Sequence, residues 1–112
     1  MSKNKIYNIS KDYFNYFQTK KIQNLDHLFA SNIVLKDWDN FKAGKKKVLI
    51  FNSKIFRKFK KISVNLKKAI FIDNYSIVCF ITIRLNKKKL NVIDILEFNR
   101  KYKIKKIRAY LG

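Results

Sequence analysis

"LNVIDILEFN", residues 90–99, alternates in the manner of a β-strand, with Leu90, Val92, Leu96 and Phe98 on one face and Asp94 in the middle of that face. A carboxylate in an apolar column needs a reason. Burying it unpaired costs several kcal/mol or obliges it to keep its proton. Working outward, period-two patterning governs everything after residue 61. "ISVNLKKAIFID" (62–73) directs Ile62, Val64, Leu66, Ile70 and Ile72 one way, and "DN" at 73–74 is a turn pair. "YSIVCFITIRL" (75–85) is apolar on both faces, with Tyr75, Ile77, Cys79, Ile81 and Ile83 opposing Val78 and Phe80. "NKKK" (86–89) turns the chain, and "YKIKKIRAYL" (102–111) closes the series. The spacing predicts four antiparallel strands joined by hairpins.

The first half has a different period. "SKDYFNYFQTKK" sets Ile9, Tyr13, Tyr16 and Phe17 at helical spacing, with Ser10 as the expected N-cap. "IQNLDHLFAS" brings Ile22, Leu25, Leu28 and Phe29 to one face of a second short helix. "NIVLKD" alternates as a strand with Ile33, Leu35 and Asp37 on one face, "WDNFKAG" reads as a loop, and Val48, Phe51, Ile55 and Phe59 mark a third helix. The order is helix, helix, strand, helix, then four strands: an α+β domain with helices over one sheet face. The doubly apolar strand leaves the other face uncovered, which predicts a strongly curved sheet or a homodimer through that face.

At 112 residues a single domain, 1–112, is expected, long enough to bury a core without disulfides. Cys79 is the sole cysteine, which rules out an internal disulfide and points to a reducing, cytoplasmic setting. The N-terminal lysines have no apolar stretch behind them, so no secretory signal is expected, and the longest apolar run, "IVCFITI", is too short to cross a bilayer as a helix. The formal charge of +20 raises the question of nucleic acid. Against it, the basic runs "GKKK", "RKFKK", "NKKK" and "RKYKIKK" are spread along the whole chain, and lysine, isoleucine and asparagine dominate together, as codon bias alone would produce. His27 has no Cys or Glu at metal spacing, so no metal or other cofactor is expected. Cys79 reads as a core residue and not as a nucleophile.

Three stretches resemble the SnoaL-like and ketosteroid isomerase-like families of the nuclear transport factor 2-like superfamily: "YFNYFQTKKIQNLDHLFASNIVLKD" (13–37), "FKAGKKKVLIF" (41–51) and "VIDILEFNRKYKIKKIRAYLG" (92–112). The resemblance implies a cone-shaped curved sheet whose three helices enclose an apolar pocket. It also implies roles. In ketosteroid isomerases a tyrosine and a carboxylic acid donate hydrogen bonds to a developing enolate oxygen while an aspartate shuttles the proton. That enzyme is a general illustration of a carboxylic acid kept neutral by an apolar site. These roles fall on Tyr13, Asp94 and Asp37 respectively, with Phe17, Trp38, Phe41, Val92 and Leu96 expected to line the pocket. Three positions depart from the family pattern: Lys20-Lys21 replaces a Gly-Asp turn, Trp38 replaces a proline, and Asn52 stands where a second tyrosine supports the first. Family and residues together lead to a pocket for a small hydrophobic carbonyl compound, with or without enolisation. The alternatives are a non-catalytic ligand-binding or protein-interaction domain and, last, a basic nucleic-acid-binding protein.

Overall fold

The computed structural model describes residues 2–112. Helix α1 (Lys3–Gln18) leads to α2 (Ile22–Leu28), β1 (Phe29–Lys36), β2 (Phe41–Ala43), α3 (Lys45–Lys58) and then four strands, β3 (Ile62–Phe71), β4 (Ser76–Leu85), β5 (Lys88–Phe98) and β6 (Ile104–Leu111). The strands form one open, curved sheet in the order β2-β1-β6-β5-β4-β3, and the helices lie over its inner face.

Helix α1 begins two turns before the position expected from Ser10. Ser2 is the N-cap, its side chain accepting from the Lys5 amide at 3.2 Å. Nothing between residues 3 and 18 breaks a helix, and Ile6 extends the buried stripe of Tyr13 and Phe14 toward the N-terminus. Ser10 is therefore interior to the helix, buried, and donates its hydroxyl to the Ile6 carbonyl at 2.8 Å. At the far end Lys20 takes the left-handed conformation, φ 61°, which glycine adopts more cheaply. Its ammonium offsets that cost by donating to the carbonyls of Phe59 at 2.6 Å and Lys60 at 3.0 Å, which ties the turn to the end of α3.

Three further expectations are corrected. Phe29 begins β1 and does not end α2; it pairs with Ile104, so β1 runs parallel to β6 in a contact that only the closed fold brings together. Residues 41–43, expected as loop, pair antiparallel with β1 as a short edge strand. Ile70 and Ile72 do not continue the inward face of Ile62, Val64 and Leu66. A register shift between Leu66 and Lys68 inverts the alternation, turning Ala69 and Phe71 inward and leaving Ile70 and Ile72 exposed.

The register explains where the molecule is solid and where it is hollow. Near the β5–β6 hairpin, Phe98, Ile104, Ile77 and Leu96 are fully or almost fully buried against Ile6, Leu25 and Phe29. The next inward row along the same strands is smaller. Asp94 is flanked by Cys79 and Ala109, and Cys79 in turn by Ala69. Small side chains in that row leave space above the carboxyl that no core residue occupies. Phe98→Ala should cost about 3–5 kcal/mol because the packed end cannot collapse around the cavity it leaves. Phe41→Ala, at a residue 62% exposed, should change stability by less than about 0.5 kcal/mol. Urea unfolding of both variants measures the contrast.

Candidate functional site

The hollow is a cavity of about 140 Å³ between the inner sheet face, α1 and α3. Leu35, Phe17, Phe51, Ile55, Ile83, Leu85, Leu90, Val92 and Ile107 supply its apolar walls. Tyr13, Asp37, Asn52 and Asp94 are its polar members, and Trp38, 45% exposed, stands at its edge. Tyr13, Asp37 and Asp94 come from α1, the end of β1 and the middle of β5, so a shared cavity is a property of the fold and not of sequence proximity.

Two residues expected at the pocket lie elsewhere. Leu96 is wholly buried two residues beyond Asp94, where the row Ile77–Leu96–Ile107 closes the packed end. Phe41 is carried out by β2 and lines a separate surface groove with Lys42, Lys47, Ile50, Phe51 and Lys54. The β1–β2 hairpin turns the Phe41 side chain away from the cavity that Trp38 borders. Asn52 was noted in the sequence only as a departure from a tyrosine. Its place one residue from Phe51 and three from Ile55 on α3 is the signal that sets it on the cavity wall.

Asp94 is 6% exposed. No side-chain hydrogen bond among the described residues involves its carboxyl or the Tyr13 hydroxyl, and both residues line the cavity. Burial first, and the negative charge of Asp37 second, push the Asp94 carboxyl up to about 7. The Tyr13 hydroxyl is raised well above its ordinary value by burial, then by Asp94 and Cys79, so it keeps its proton and remains a donor. Burial and then Asp94 push the Cys79 thiol up to about 12, which leaves it protonated and unreactive.

Asp37 has a structural duty as well. Its Oδ1 accepts from the amides of Asp39 at 2.8 Å and Asn40 at 2.6 Å and from the Asn40 Nδ2 at 3.1 Å, while its own amide donates to the Asn40 carbonyl at 2.9 Å. The carboxylate thus builds the four-residue loop between β1 and β2. Its Oδ2 has only the Asn40 Nδ2 at 3.3 Å, which leaves it the freer oxygen.

Among the described residues no group of three or more His, Cys, Asp or Glu side chains is placed to hold a metal ion, and no helix is long and apolar enough to cross a membrane. No protein-family profile and no curated protein matches the chain. Solved structures do. A SnoaL-like protein of unknown function from Burkholderia thailandensis superposes with a TM-score of 0.84 at 11% identity, over 99% of this chain and 97% of that one. An NTF2-like protein of unknown function from Cytophaga hutchinsonii gives 0.82 at 11%, over 96% and 89%. SalBIII, an epoxide hydrolase/cyclase-like enzyme in pyran ring formation in the polyether salinomycin, gives 0.81 at 14%, over 99% and 93%. At these identities the likeness defines the fold: the chain has the nuclear transport factor 2-like architecture shared by SnoaL-like and ketosteroid isomerase-like proteins.

The raised Asp94 carboxyl has a thermodynamic consequence. The unfolded chain loses this proton near 3.8 and the folded chain near 7, so between these values folding takes up a proton. Stability is highest below 3.8 as far as this group is concerned and is lost as pH rises to about 7, at up to about 1.4 kcal/mol per pH unit. Asp94→Asn removes the dependence. The variant should exceed the wild type in urea midpoint at pH 8, with the gain shrinking to nothing near pH 4.

Proposed function

We propose that the chain binds a small hydrophobic carbonyl compound in this cavity. The carbonyl oxygen accepts hydrogen bonds from the Tyr13 hydroxyl and the protonated Asp94 carboxyl. One observation carries the reading: Tyr13 and Asp94, both largely buried and neither engaged in a side-chain hydrogen bond among the described residues, border a cavity whose walls are mostly apolar. A polar group that loses water without gaining a partner costs about 1–3 kcal/mol, and a ligand oxygen that pairs with both groups avoids that cost. The volume is close to that of a cavity known to hold benzene, which favours a single ring as the part of the ligand that enters.

The same geometry supports enolisation. Donors aimed at a carbonyl oxygen stabilise negative charge that develops there, each contributing on the order of 10²–10³ in rate where the geometry is tight. Asp37 supplies the base, through the oxygen its loop leaves freer, and would receive the proton from the carbon next to the carbonyl. With the enolate's charge held by Tyr13 and Asp94, returning the proton to another carbon completes an isomerisation. A lone, free, buried Cys79 suits a reducing compartment, and we assign the chain to the cytoplasm on that basis.

Cyclohexanone is a suitable probe because its size matches the cavity and its α-protons report enolisation. Titration calorimetry should show binding that weakens about tenfold in Tyr13→Phe and in Asp94→Leu, survives in Asp94→Asn, and declines in the wild type as pH rises through about 7. Exchange of the α-protons in D₂O, followed by NMR, should be accelerated by the wild type and lost in Asp37→Asn. Binding with no exchange would leave a ligand-binding module in place of an enzyme.

A second copy of the chain is the partner that we propose for the outer sheet face. There the cross-strand rows Ile70–Val78–Ile95 and Phe80–Ile93–Tyr110 form an apolar centre. Lys68, Lys106 and Arg108 lie at its margin, an arrangement of apolar core and charged rim typical of interfaces. Sedimentation equilibrium should give a dimer for the wild type and a monomer for Phe80→Glu. A wild-type monomer at about 100 µM, a concentration that populates most specific dimers, would remove this partner.

A further inference from the structure

Asn52 is the polar member of the cavity that carbonyl binding leaves idle. It sits on the inner side of α3, is 1% exposed and lines the cavity, yet its Nδ2 has no acceptor among the described residues. Its neighbours on that helix face are Val48 and Phe56, both buried, and Ile55. Leucine would fill the site without stranding a polar group. An amide donor buried with no partner lowers the stability of the empty protein, and no contact within the chain recovers that loss.

We propose that Asn52 determines specificity by hydrogen-bonding a second oxygen function of the ligand, which makes the preferred occupant a single-ring hydroxy-ketone. The proposal rests on the carbonyl reading for the first oxygen. Tyr13 from α1 and Asp94 from β5 receive the ketone, while Asn52 enters from α3, a different wall. A hydroxyl is the function that fits best. The carboxamide presents either its N–H or its C=O to the cavity by rotation about its terminal torsion, and a hydroxyl, being donor and acceptor, pairs with both. An ether or second ketone pairs only with the N–H. A purely apolar ring pairs with neither and leaves the amide as unsatisfied as it is in the empty cavity.

The test compares 2-, 3- and 4-hydroxycyclohexanone with the corresponding methylcyclohexanones by titration calorimetry, on the wild type and on Asn52→Leu. At least one hydroxy isomer should bind the wild type about tenfold or more tightly than its methyl counterpart. That preference should vanish in Asn52→Leu, which should still bind the methyl ketones. Asn52→Leu should also melt above the wild type, since it removes an orphaned amide; a structural asparagine would make it melt below, and that result overturns the proposal. A preference that survives the substitution overturns it too. In the wild type alone, the Asn52 side-chain amide resonances should shift with the favoured hydroxy-ketone and not with its methyl counterpart, and equal responses to both would refute the assignment without any variant. Binding of all ketones with no hydroxy preference would end this proposal and leave the carbonyl reading standing. No binding of any ketone would end both.

Discussion

The hollow half of the molecule depends on one cross-strand row, Ala69–Cys79–Asp94–Ala109. Asp94 and Ala109 of this row line the cavity, while Cys79 is wholly buried beside them. A Leu at Ala109, which lines the cavity, would extend the core of Leu96 and Ile77 into it. The rows on the packed side hold the strands on which this row lies. Solid packing at one end of the sheet is therefore the condition for a hollow at the other.

Polarity in the cavity has a consistent sign. Burial keeps the protons on Tyr13 and Cys79 and raises Asp94 to about 7, so at neutral pH the first two are neutral and the carboxyl is protonated about half the time. Asp37 is tied instead to its own loop, which provides three donors to Oδ1. Two aspartates that look equivalent in sequence thus have different surroundings, one buried in an apolar row and the other held by the loop it builds. Asp37's charge then helps to hold the proton on Asp94. The positive charge of +20 contributes little to this chemistry, since the lysines sit on the outer surfaces of the elements and in a surface groove with Phe41.

Lys20 and Asn52 show how the fold absorbs unusual residues in two different ways. Lys20 occupies a left-handed turn that suits glycine, and its ammonium compensates by gripping two carbonyls at the end of α3. Asn52 has no such compensation inside the protein. The first departure is closed within the structure and needs no function to explain it. The second is open, which is why it points toward a ligand.

Alternation and helical spacing by themselves determined the α+β order, the four-strand meander, the third helix and the inward position of Asp94, because each depends only on local period and burial. The start of α1 was misplaced because Ser2 and Ser10 are equally good caps in isolation, and only the packing of Ile6 decides between them. The outward turn of Ile70 and Ile72 was hidden because a one-residue bulge leaves no mark on composition yet inverts every side chain after it. Tertiary structure alone decided the parallel pairing of β1 with β6, the meeting of Tyr13, Asp37 and Asp94 at one cavity, the removal of Leu96 and Phe41 from it, and the isolation of the Asn52 amide. Those facts join residues far apart in the chain, and no local pattern fixes the distance between them until the sheet has curved and the helices have docked.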